Sequence, residues 1–484
     1  GADRDGYVLT NFPYLNNGPK DLIGNSGKGK EYAYRSYFGR VMYSYADRYL
    51  FQANIRHDGS SRFAKKHRWG TFPSFSAGWV LSEENFMKNL NWDWLSFLKI
   101  RATWGALGNE RIGDFPYMST IAFGNTIFYQ NNGIYFDQTA SQQKYAIENV
   151  TWEKTESTDI GLDISFLNNR LRVNGDYYWK NTKDMLLAMA IPDFLGFSDP
   201  DVNAGKMSTK GYELNVSWND HIGDFSYGIA INFSDFTSKM GDLQGTQFLG
   251  DKVKMEGSEF NEWYGYVSDG LFLTEEDLKN SPKINDKNTQ LGDIKYKDIS
   301  GPDGVPDGKI SPEYDRVLLG SSLPHFLYGG NINLGYKNFD LSLAFQGVGK
   351  QNARLAREMV EPFRNNYGNF PAIIDGNYWS PYNTDEQNAV AKYPRLTHVN
   401  KSSNYAMSDY WLFNGGYFRL KNITLGYTFP KEWMNAIGIK GARIYASASD
   451  LFCLSKYPKG WDPEMGVSEY PITTSILLGV SVNF

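Results

Sequence analysis

The sequence predicts an all-β protein, an antiparallel transmembrane β-barrel to which this chain contributes about 13 strands. Three observations predict this fold class: apolar and polar residues alternate in segments along all 484 residues, the connections alternate between short and long, and the chain ends inside such a segment. Residues two apart in a strand share one face, so the alternation describes a sheet with an apolar face and a polar face. In a membrane barrel the apolar face contacts lipid.

The C-terminal segment shows the pattern most clearly. Ile476, Leu478, Val480 and Val482 share one face, mostly small or polar residues occupy the other, and the chain stops on Phe484. The segment is similar to the final strand of bacterial outer-membrane proteins, which closes a barrel. We therefore expect the chain to end in a membrane strand.

Period-two patterns predict thirteen strands in total. They lie at residues 36–46, 48–57, 71–82, 96–107, 154–167, 170–181, 209–219, 224–235, 325–336, 338–348, 416–429, 440–451 and 473–484. The lipid-facing side is predicted to include Ile160, Leu162, Ile164, Leu341, Leu343, Ile476, Leu478, Val480 and Val482.

Loop lengths separate a barrel from a soluble sandwich. Outer-membrane barrels have short periplasmic turns and long extracellular loops, whereas a soluble β-sandwich has no reason to segregate its loops by length. Residues 36–484 are therefore predicted to form the C-terminal part of a barrel, and residues 1–35 the end of an extracellular loop. The short turns lie at 46–48, 168–169, 220–223, 337 and 430–439, and the longest loops are 108–153, 182–208, 237–324 and 349–415.

Composition excludes several classes of protein. No run approaches the roughly 18 apolar residues of a membrane helix, and the aromatic share of 16% suits aromatic girdles at two membrane interfaces. The net charge of -5 gives no basic footprint for nucleic acid. The single cysteine, Cys453, cannot form an internal disulfide and is read as a small buried hydrophobe. An outer-membrane protein needs a secretion signal and none begins at Gly1, so we expect the natural N-terminus to lie upstream.

An odd strand count has a consequence for completeness. Bacterial single-chain barrels have even numbers of strands, and the unpaired edges of an odd set cannot lie in hydrocarbon. The first and last predicted strands both run towards the periplasm, so direct closure would break the antiparallel order. We therefore expect a further polypeptide segment that pairs with both edges.

Several motifs also resemble one known family. The barrel of SusC/RagA-type TonB-dependent transporters is similar to this chain from about residue 36 to Phe484. The matching stretches are Tyr37-Phe38-Gly39-Arg40, Arg56-His57-Asp58-Gly59-Ser60-Ser61-Arg62-Phe63, Trp69-Gly70-Thr71-Phe72-Pro73-Ser74, Ser76-Ala77-Gly78-Trp79, Trp152-Glu153-Lys154-Thr155, Asn168-Asn169-Arg170-Leu171, Tyr417-Phe418-Arg419-Leu420-Lys421-Asn422-Ile423 and Asp462-Pro463-Glu464.

The resemblance implies a barrel of about 22 strands that is filled by an N-terminal plug. It also implies a SusD-like surface lipoprotein as a lid, the TonB complex as energy source, and import of oligomeric nutrients, mostly oligosaccharides and sometimes oligopeptides. The host would be a Gram-negative, Bacteroidetes-type bacterium with the protein in its outer membrane. The plug, the segment that contacts TonB and about nine strands are not in this sequence. A passive porin and a surface adhesion barrel remain as alternatives, and no enzyme motif is present.

One stretch suggests a metal site. Residues 298–315 combine closely spaced carboxylates with glycines, as a loop for a hard cation such as Ca²⁺ requires. Asp303, Asp307 and Asp315 are the candidate ligands, although loop positions three and twelve would be Val305 and Tyr314. A hydrogen-bonded Asp/Gly/Pro turn without metal is the alternative.

Aromatic residues in the long loops are the candidate substrate contacts. Phe128, Tyr129, Tyr135, Tyr378 and Trp379 could stack on sugar faces or fill a lid interface, or they could pack within the loops. No catalytic residues are predicted, because the five histidines have no ligand spacing and no GxSxG occurs.

The loop at 58–70 is basic. Its cations are Arg62, Lys65, Lys66, His67 and Arg68. They predict a solvated face or contacts to lipopolysaccharide phosphates rather than a substrate site.

Overall fold

The computed structural model describes residues 2–4, 23–25, 31–119, 121–130, 133–142, 145–189, 191, 193–243, 245–364, 370–466 and 469–484. Within these residues thirteen strands form one antiparallel sheet, which we call the wall. In chain order they are β1 (Tyr34–Tyr45), β2 (Tyr49–Ser60), β3 (Trp69–Val80), β4 (Leu95–Asn109), β5 (Glu153–Phe166), β6 (Leu171–Lys183), β7 (Met207–Ile222), β8 (Phe225–Met240), β9 (His325–Tyr336), β10 (Phe339–Lys350), β11 (Tyr417–Thr428), β12 (Gly441–Ser455) and β13 (Ser475–Asn483).

Each wall strand pairs with the strand next to it in sequence. The antiparallel order puts the tight turns at one end of the wall and the longest connections at the other, as predicted. The 81–94 connection at the tight-turn end is nevertheless longer than the 61–68 connection at the opposite end. β1 and β13 are the two edges of the sheet, and in the described part of the chain they pair with their inner neighbours and not with each other.

All thirteen predicted strands are confirmed, but several are longer than the pattern indicates. β8 continues to Met240 and β12 to Ser455, in both cases at the end that carries the long connections. Beyond the membrane both faces of a strand can be polar, so the alternation stops before the hydrogen-bond ladder does.

The tight turns place their central residues in the left-handed backbone region, which Asn and Asp adopt more readily than Ala. Between β1 and β2, Ala46 and Asp47 have φ of 52° and 53°. Between β5 and β6, Asn168 and Asn169 have φ of 58° and 65°. Two-residue hairpin turns require this conformation, because it matches the twist of the flanking strands.

One face of the wall is apolar across many strands. The pairing register aligns Ile100 with Leu162, and Leu162 with Gly175, whose other partner is Leu214. Leu478 on the edge strand is 81% exposed, and the other predicted lipid-facing residues are exposed or half-buried. Since water would penalise such a surface, it fits a sheet whose outer solvent is lipid.

Aromatic rings gather at the end with the short turns. Tyr49 stacks between Tyr45 and Trp79 at centroid distances of 6.4 Å, and Trp94 stacks on Phe166 at 5.7 Å. Such rings form the girdle that a barrel has at a membrane interface.

The connections contain short elements of their own. Short strands lie at Ala2–Arg4, Ile23–Asn25, Ile121–Gln130, Gly133–Gln142, Leu186–Ala188, Asp201–Asn203, Gln247–Leu249, Lys252–Lys254, Glu262–Tyr266, Ser268–Leu271, Ile294–Tyr296, Arg316–Leu318, Asn352–Arg354 and Leu412–Asn414. Helical segments lie at Leu81–Glu83, Asn85–Lys88, Asp193–Leu195, Glu275–Asn280, Arg357–Val360, Ala372–Ile374, Asp385–Ala389, Lys401–Asn404, Asp409–Trp411 and Lys431–Ala436. None of the helices in the described ranges is long and apolar enough to cross a membrane.

The two longest connections fold together into one unit. We call the described residues of 241–324 and 351–416 the loop module. Its hydrophobic core joins both segments, with Tyr266, Ile294 and Tyr296 from the first and Trp411 from the second. The Tyr296 hydroxyl donates to the Ser403 carbonyl at 2.7 Å across the two segments. The long loops therefore form a compact domain, which the strand pattern did not predict.

A second, smaller core supports the first long loop. Phe63 and Phe72 pack against the Trp152 ring at centroid distances of 5.2 and 5.4 Å. Both Phe63 and Trp152 belong to the family-like motifs, which here have a packing role.

Candidate functional site: the polar face and the loop module

The polar face of the wall carries ion pairs that cross a strand. Arg101 on β4 reaches Asp176 on β6, with Nη1 2.7 Å from Oδ1, while its Nε donates to Asp163 at 3.2 Å. The guanidinium passes over Gly161 on β5, where a Cβ would lie 2.6 Å from the Asp176 carboxylate. Glycine is therefore required at this crossing, and the arginine links three neighbouring strands.

The same arrangement recurs near the other edge of the wall. Arg443 on β12 donates through Nε to Asp340 on β10 at 3.1 Å and through Nη2 at 2.5 Å. The intervening residue is Gly426 on β11, where a Cβ would lie 2.6 Å from the Asp340 carboxylate. Each arginine therefore lies along the wall, and aspartate carboxylates on other strands neutralise its charge.

A larger ionic cluster lies at the end with the long connections. Arg419 on β11 is only 3% exposed, with Nη2 2.5 Å from Asp462 and Nε 2.6 Å from Glu464. Lys421 lies 2.8 Å from Asp450 on β12. Because Asp462 and Glu464 belong to the connection between β12 and β13, this cluster fastens that connection to the wall.

A β-bulge lies within this cluster. The register between β11 and β12 shifts between Leu420 and Asn422, and Asp450 opposite has φ of 50°. Arg419 and Lys421 both contact carboxylates, as two residues of one strand face can, whereas the next polar side chain, Asn422, donates to Ser447 on β12. The bulge lets Arg419 and Asn422, which are three residues apart, serve the same polar face.

The loop module is organised around a buried carboxylate. Asp293 accepts hydrogen bonds from Arg395 at 2.7 and 3.2 Å, from Asn400 at 2.8 Å and from Asn404 at 2.9 Å. The charge-assisted and amide hydrogen bonds offset the cost of burying the charge. The contacts join both segments of the module. Burial also raises the pKa of Tyr296 above its usual value.

Two predicted aromatic residues line a cleft in the loop module. Tyr378 and Trp379 lie beside Tyr382 in a cavity of about 580 Å³. Glu275 and Gln290 supply polar groups from the other segment. The structure therefore brings Tyr378 and Trp379 together with side chains that lie about a hundred residues away in sequence.

The other predicted aromatics lie on a β-hairpin between residues 121 and 142. Phe128 pairs with Tyr135, so the two share one face, and Tyr129 pairs with Ile134 on the opposite face. The side chains of all three predicted residues are exposed. The structure groups Phe128 with Tyr135 and separates Tyr129 from them.

The acidic turn at 298–315 is held by its own backbone. The buried Asp315 carboxylate accepts from the N–H groups of Ile299 at 2.8 Å and Ser311 at 2.7 Å, and Asp307 accepts from the Lys309 N–H at 3.0 Å. Among the described residues no group of three His, Cys, Asp or Glu side chains is arranged to hold a metal ion. The assignment of Ca²⁺ to Asp303, Asp307 and Asp315 stays a prediction.

The basic loop at 58–70 is partly ion-paired. Arg62 Nε lies 3.3 Å from Asp114, and its Nη1 lies 4.0 Å from Glu110 in the following long loop. Arg62 therefore contributes to loop packing, and the proposed contact with lipopolysaccharide rests on its neighbours.

Sequence reasoning missed the two buried ionic centres, Asp293 and Arg419. For Arg419 a signal was present, because Leu420 and Ile423 are three residues apart where the strand pattern requires two or four. For Asp293 there was none, since its partners follow it by more than a hundred residues.

Comparison with known proteins gives a consistent result. A family model described as TonB dependent receptor-like, beta-barrel, matches residues 2–451. The TonB-dependent receptor P3 of Formosa agariphila is 31% identical over 453 residues, which cover 89% of this chain and 42% of that protein. The TonB-dependent receptor SusC of Bacteroides thetaiotaomicron is 32% identical over 468 residues, covering 93% and 43%. The chain thus spans less than half the length of these two relatives.

Solved structures show the same fold. The structure of the RagAB peptide transporter has a TM-score of 0.77 at 23% identity, over 99% of this chain and 51% of that one. The RagAB peptide importer in its closed-closed state has a TM-score of 0.78 at 22% identity, again over 99% and 51%.

Proposed function

This chain belongs to the family of TonB-dependent receptor-like β-barrels, and from that membership we propose that it forms part of an outer-membrane transporter for oligomeric nutrients. The transport is active and depends on TonB, and the main cargo is oligosaccharide. The observation that carries the proposal is the family match over residues 2–451.

The faces of the wall support a conduit. The apolar face suits lipid, so the face with the Arg101 and Arg443 ion pairs becomes the lining of the barrel. Its charges are matched within the wall, which lets a neutral or weakly charged oligomer pass without strong retention.

The partners follow from the same family. A SusD-like lipoprotein would cover the end that carries the loop module, and a plug would connect the protein to the TonB complex. The edges β1 and β13 present backbone N–H and C=O groups that hydrocarbon cannot satisfy. We therefore include further barrel strands and the plug segment among the partners of this chain.

The test measures uptake by whole cells that carry the full-length protein. Uptake of oligosaccharides should collapse when the proton-motive force is dissipated or when TonB is removed. Uptake that persists under both conditions would contradict active transport and favour a passive porin.

A parallel arm with oligopeptides of similar mass examines the cargo. Peptide uptake with the same energy dependence, and none of oligosaccharide, would leave the transport mechanism intact and contradict the cargo assignment.

A further inference from the structure

The loop module contains a cleft with the features of a ligand site. Its volume of about 580 Å³ lies in the usual range for small-ligand pockets, and it combines aromatic faces with a few polar groups. We propose that this cleft binds neutral oligosaccharides, with Trp379 and Tyr382 as stacking surfaces and Glu275 and Gln290 as hydrogen-bonding groups. The inference rests on the proposed function and adds a recognition site outside the wall.

The aromatic rings are held in place before any ligand arrives. Trp379 packs against the hydrophobic core of the module, and its backbone N–H donates to the Tyr393 carbonyl at 3.0 Å. Tyr378 meets Phe370 edge-on at a centroid distance of 5.7 Å. Fixed rings lose little conformational entropy on binding, so their contact with a ligand contributes more to the binding free energy.

The turn that carries Tyr382 is also fixed. Asn383 donates to the Tyr378 carbonyl at 3.0 Å, and Asn388 donates to the Ser380 carbonyl at 3.0 Å. Thr384 closes the turn with a capping box at the start of the next helix. Tyr382 nevertheless remains 96% exposed. A rigid turn that presents one bare aromatic ring beside a cleft suits a stacking platform.

The polar groups match the chemistry of a sugar. A pyranose has an apolar C–H face and a rim of hydroxyl groups that both donate and accept hydrogen bonds. The Glu275 carboxylate accepts, whereas the Gln290 amide both donates and accepts. The aromatic rings of the cleft can therefore contact the C–H face of a sugar while its polar groups hydrogen-bond to the hydroxyl groups of the same sugar.

Charge favours a neutral ligand. The Arg395 guanidinium, at the cleft wall, is already engaged by Asp293 at 2.7 and 3.2 Å and by the Asn288 carbonyl at 3.1 Å. The helix beside the cleft contributes one carboxylate, Glu275, to the lining, while the Asp277 carboxylate is paired with Lys295 at 3.0 Å. An acidic sugar would meet the Glu275 carboxylate and would gain no pairing with Arg395.

Backbone geometry argues against an extended peptide. Such a peptide binds by pairing with the exposed edge of a sheet. The cleft is lined by a helix and by turns, and Tyr378 makes a single isolated bridge to Tyr393. Recognition here depends on side chains, as it does for a sugar.

The test is a binding measurement on the purified full-length protein in detergent. The probes are malto-, cello-, xylo- and mannohexaose, together with hexagalacturonate and an uncharged hexapeptide. At least one neutral hexasaccharide should bind, and Trp379→Ala or Tyr382→Ala should each weaken it by about fivefold or more. Tyr470→Ala is the matched control, because Tyr470 is an 81% exposed tyrosine outside the cleft, and it should leave the affinity unchanged.

Three results would overturn the inference: no binding of any neutral probe, unchanged affinity in Tyr382→Ala, or tighter binding of hexagalacturonate or peptide in the cleft. Tyr382→Ala keeps the test decisive even if Trp379→Ala fails to fold, because the Tyr382 ring is almost fully exposed. Uptake in the same strains separates the two proposals. If the variants lose binding but uptake does not depend on the proton-motive force, active transport is contradicted and the cleft is still supported as a binding site.

Discussion

The wall exposes its apolar side chains, whereas the loop module buries them. Leu478 on the wall is 81% exposed, and Trp411 in the module is 2% exposed. The wall relies on a continuous hydrogen-bond ladder and an apolar surrounding solvent, while the module relies on a packed core in water. The same residue types therefore stabilise the two regions for opposite reasons, and a substitution should act on one region at a time.

Trp411→Ala should give the largest effect. The Trp411 ring stacks on Tyr405 at 5.1 Å and its Nε1 donates to the Asn404 carbonyl at 2.9 Å, so its loss leaves a cavity and an unpaired acceptor. We expect the module's free energy of unfolding to fall by about 3–5 kcal/mol. Hydrogen exchange followed by mass spectrometry should show faster exchange in the module and unchanged protection in the wall.

Trp433→Ala is the matched control for that experiment, since Trp433 is exposed at the end with the short turns. Equal loss of protection in wall and module after Trp411→Ala would mean that the two regions unfold as one.

Leu343→Arg tests the wall. Arginine on the lipid face near the bilayer middle should make folding into vesicles less favourable by roughly 2–4 kcal/mol, whereas Ser342→Arg on the polar face should cost far less. Folding titrations in urea with lipid vesicles measure both values. Equal costs at the two positions would mean that the faces are assigned wrongly.

Gly161→Ala and Gly426→Ala test the strand-crossing arginines. A methyl group at either position collides with the ion pair above it, so we expect a loss of about 1–3 kcal/mol from overpacking. Gly175→Ala is the matched control, because its new methyl group would make only ordinary contacts, with Leu214 at 3.9 Å and the Glu213 carbonyl oxygen at 4.0 Å. The same folding titrations measure the effect. If Gly175→Ala costs as much stability as the two test variants, the collision with the arginine ion pairs is not the cause.

The mildest test leaves stability unchanged and probes orientation. In a Cys453→Ser background, cysteine at Asp47 or Asn169 should resist a membrane-impermeant maleimide on whole cells, because short turns face the periplasm. Cysteine at Tyr382 should react, since this side chain is 96% exposed in the loop module. The reverse labelling pattern would invert the topology.

The wall could be predicted from the sequence because its two solvents impose a strict alternation on every strand. Leu343 and Ser342 lie on opposite faces because adjacent residues of a strand alternate, and this follows from the sequence alone. The bulge at Lys421 breaks the alternation by one residue, and the three-residue spacing of Leu420 and Ile423 is its trace in the sequence.

The loop module could not be predicted in the same way. Its core joins Tyr266 with Trp411, and its buried carboxylate Asp293 joins Arg395, so no local period records the contacts. Tyr378 and Trp379 can be predicted as aromatic residues of a long loop, but Glu275 and Gln290 become their neighbours only through the fold.

The loop module is attached to the wall in a way that allows its sequence and length to change independently of the wall. The segment 241–324 leaves β8 and returns at β9, and 351–416 leaves β10 and returns at β11, so each excursion starts and finishes on adjacent strands. Closing a hairpin costs little more when its loop lengthens. Insertions, deletions and exchanged surfaces can therefore accumulate in the module while every register in the wall is kept.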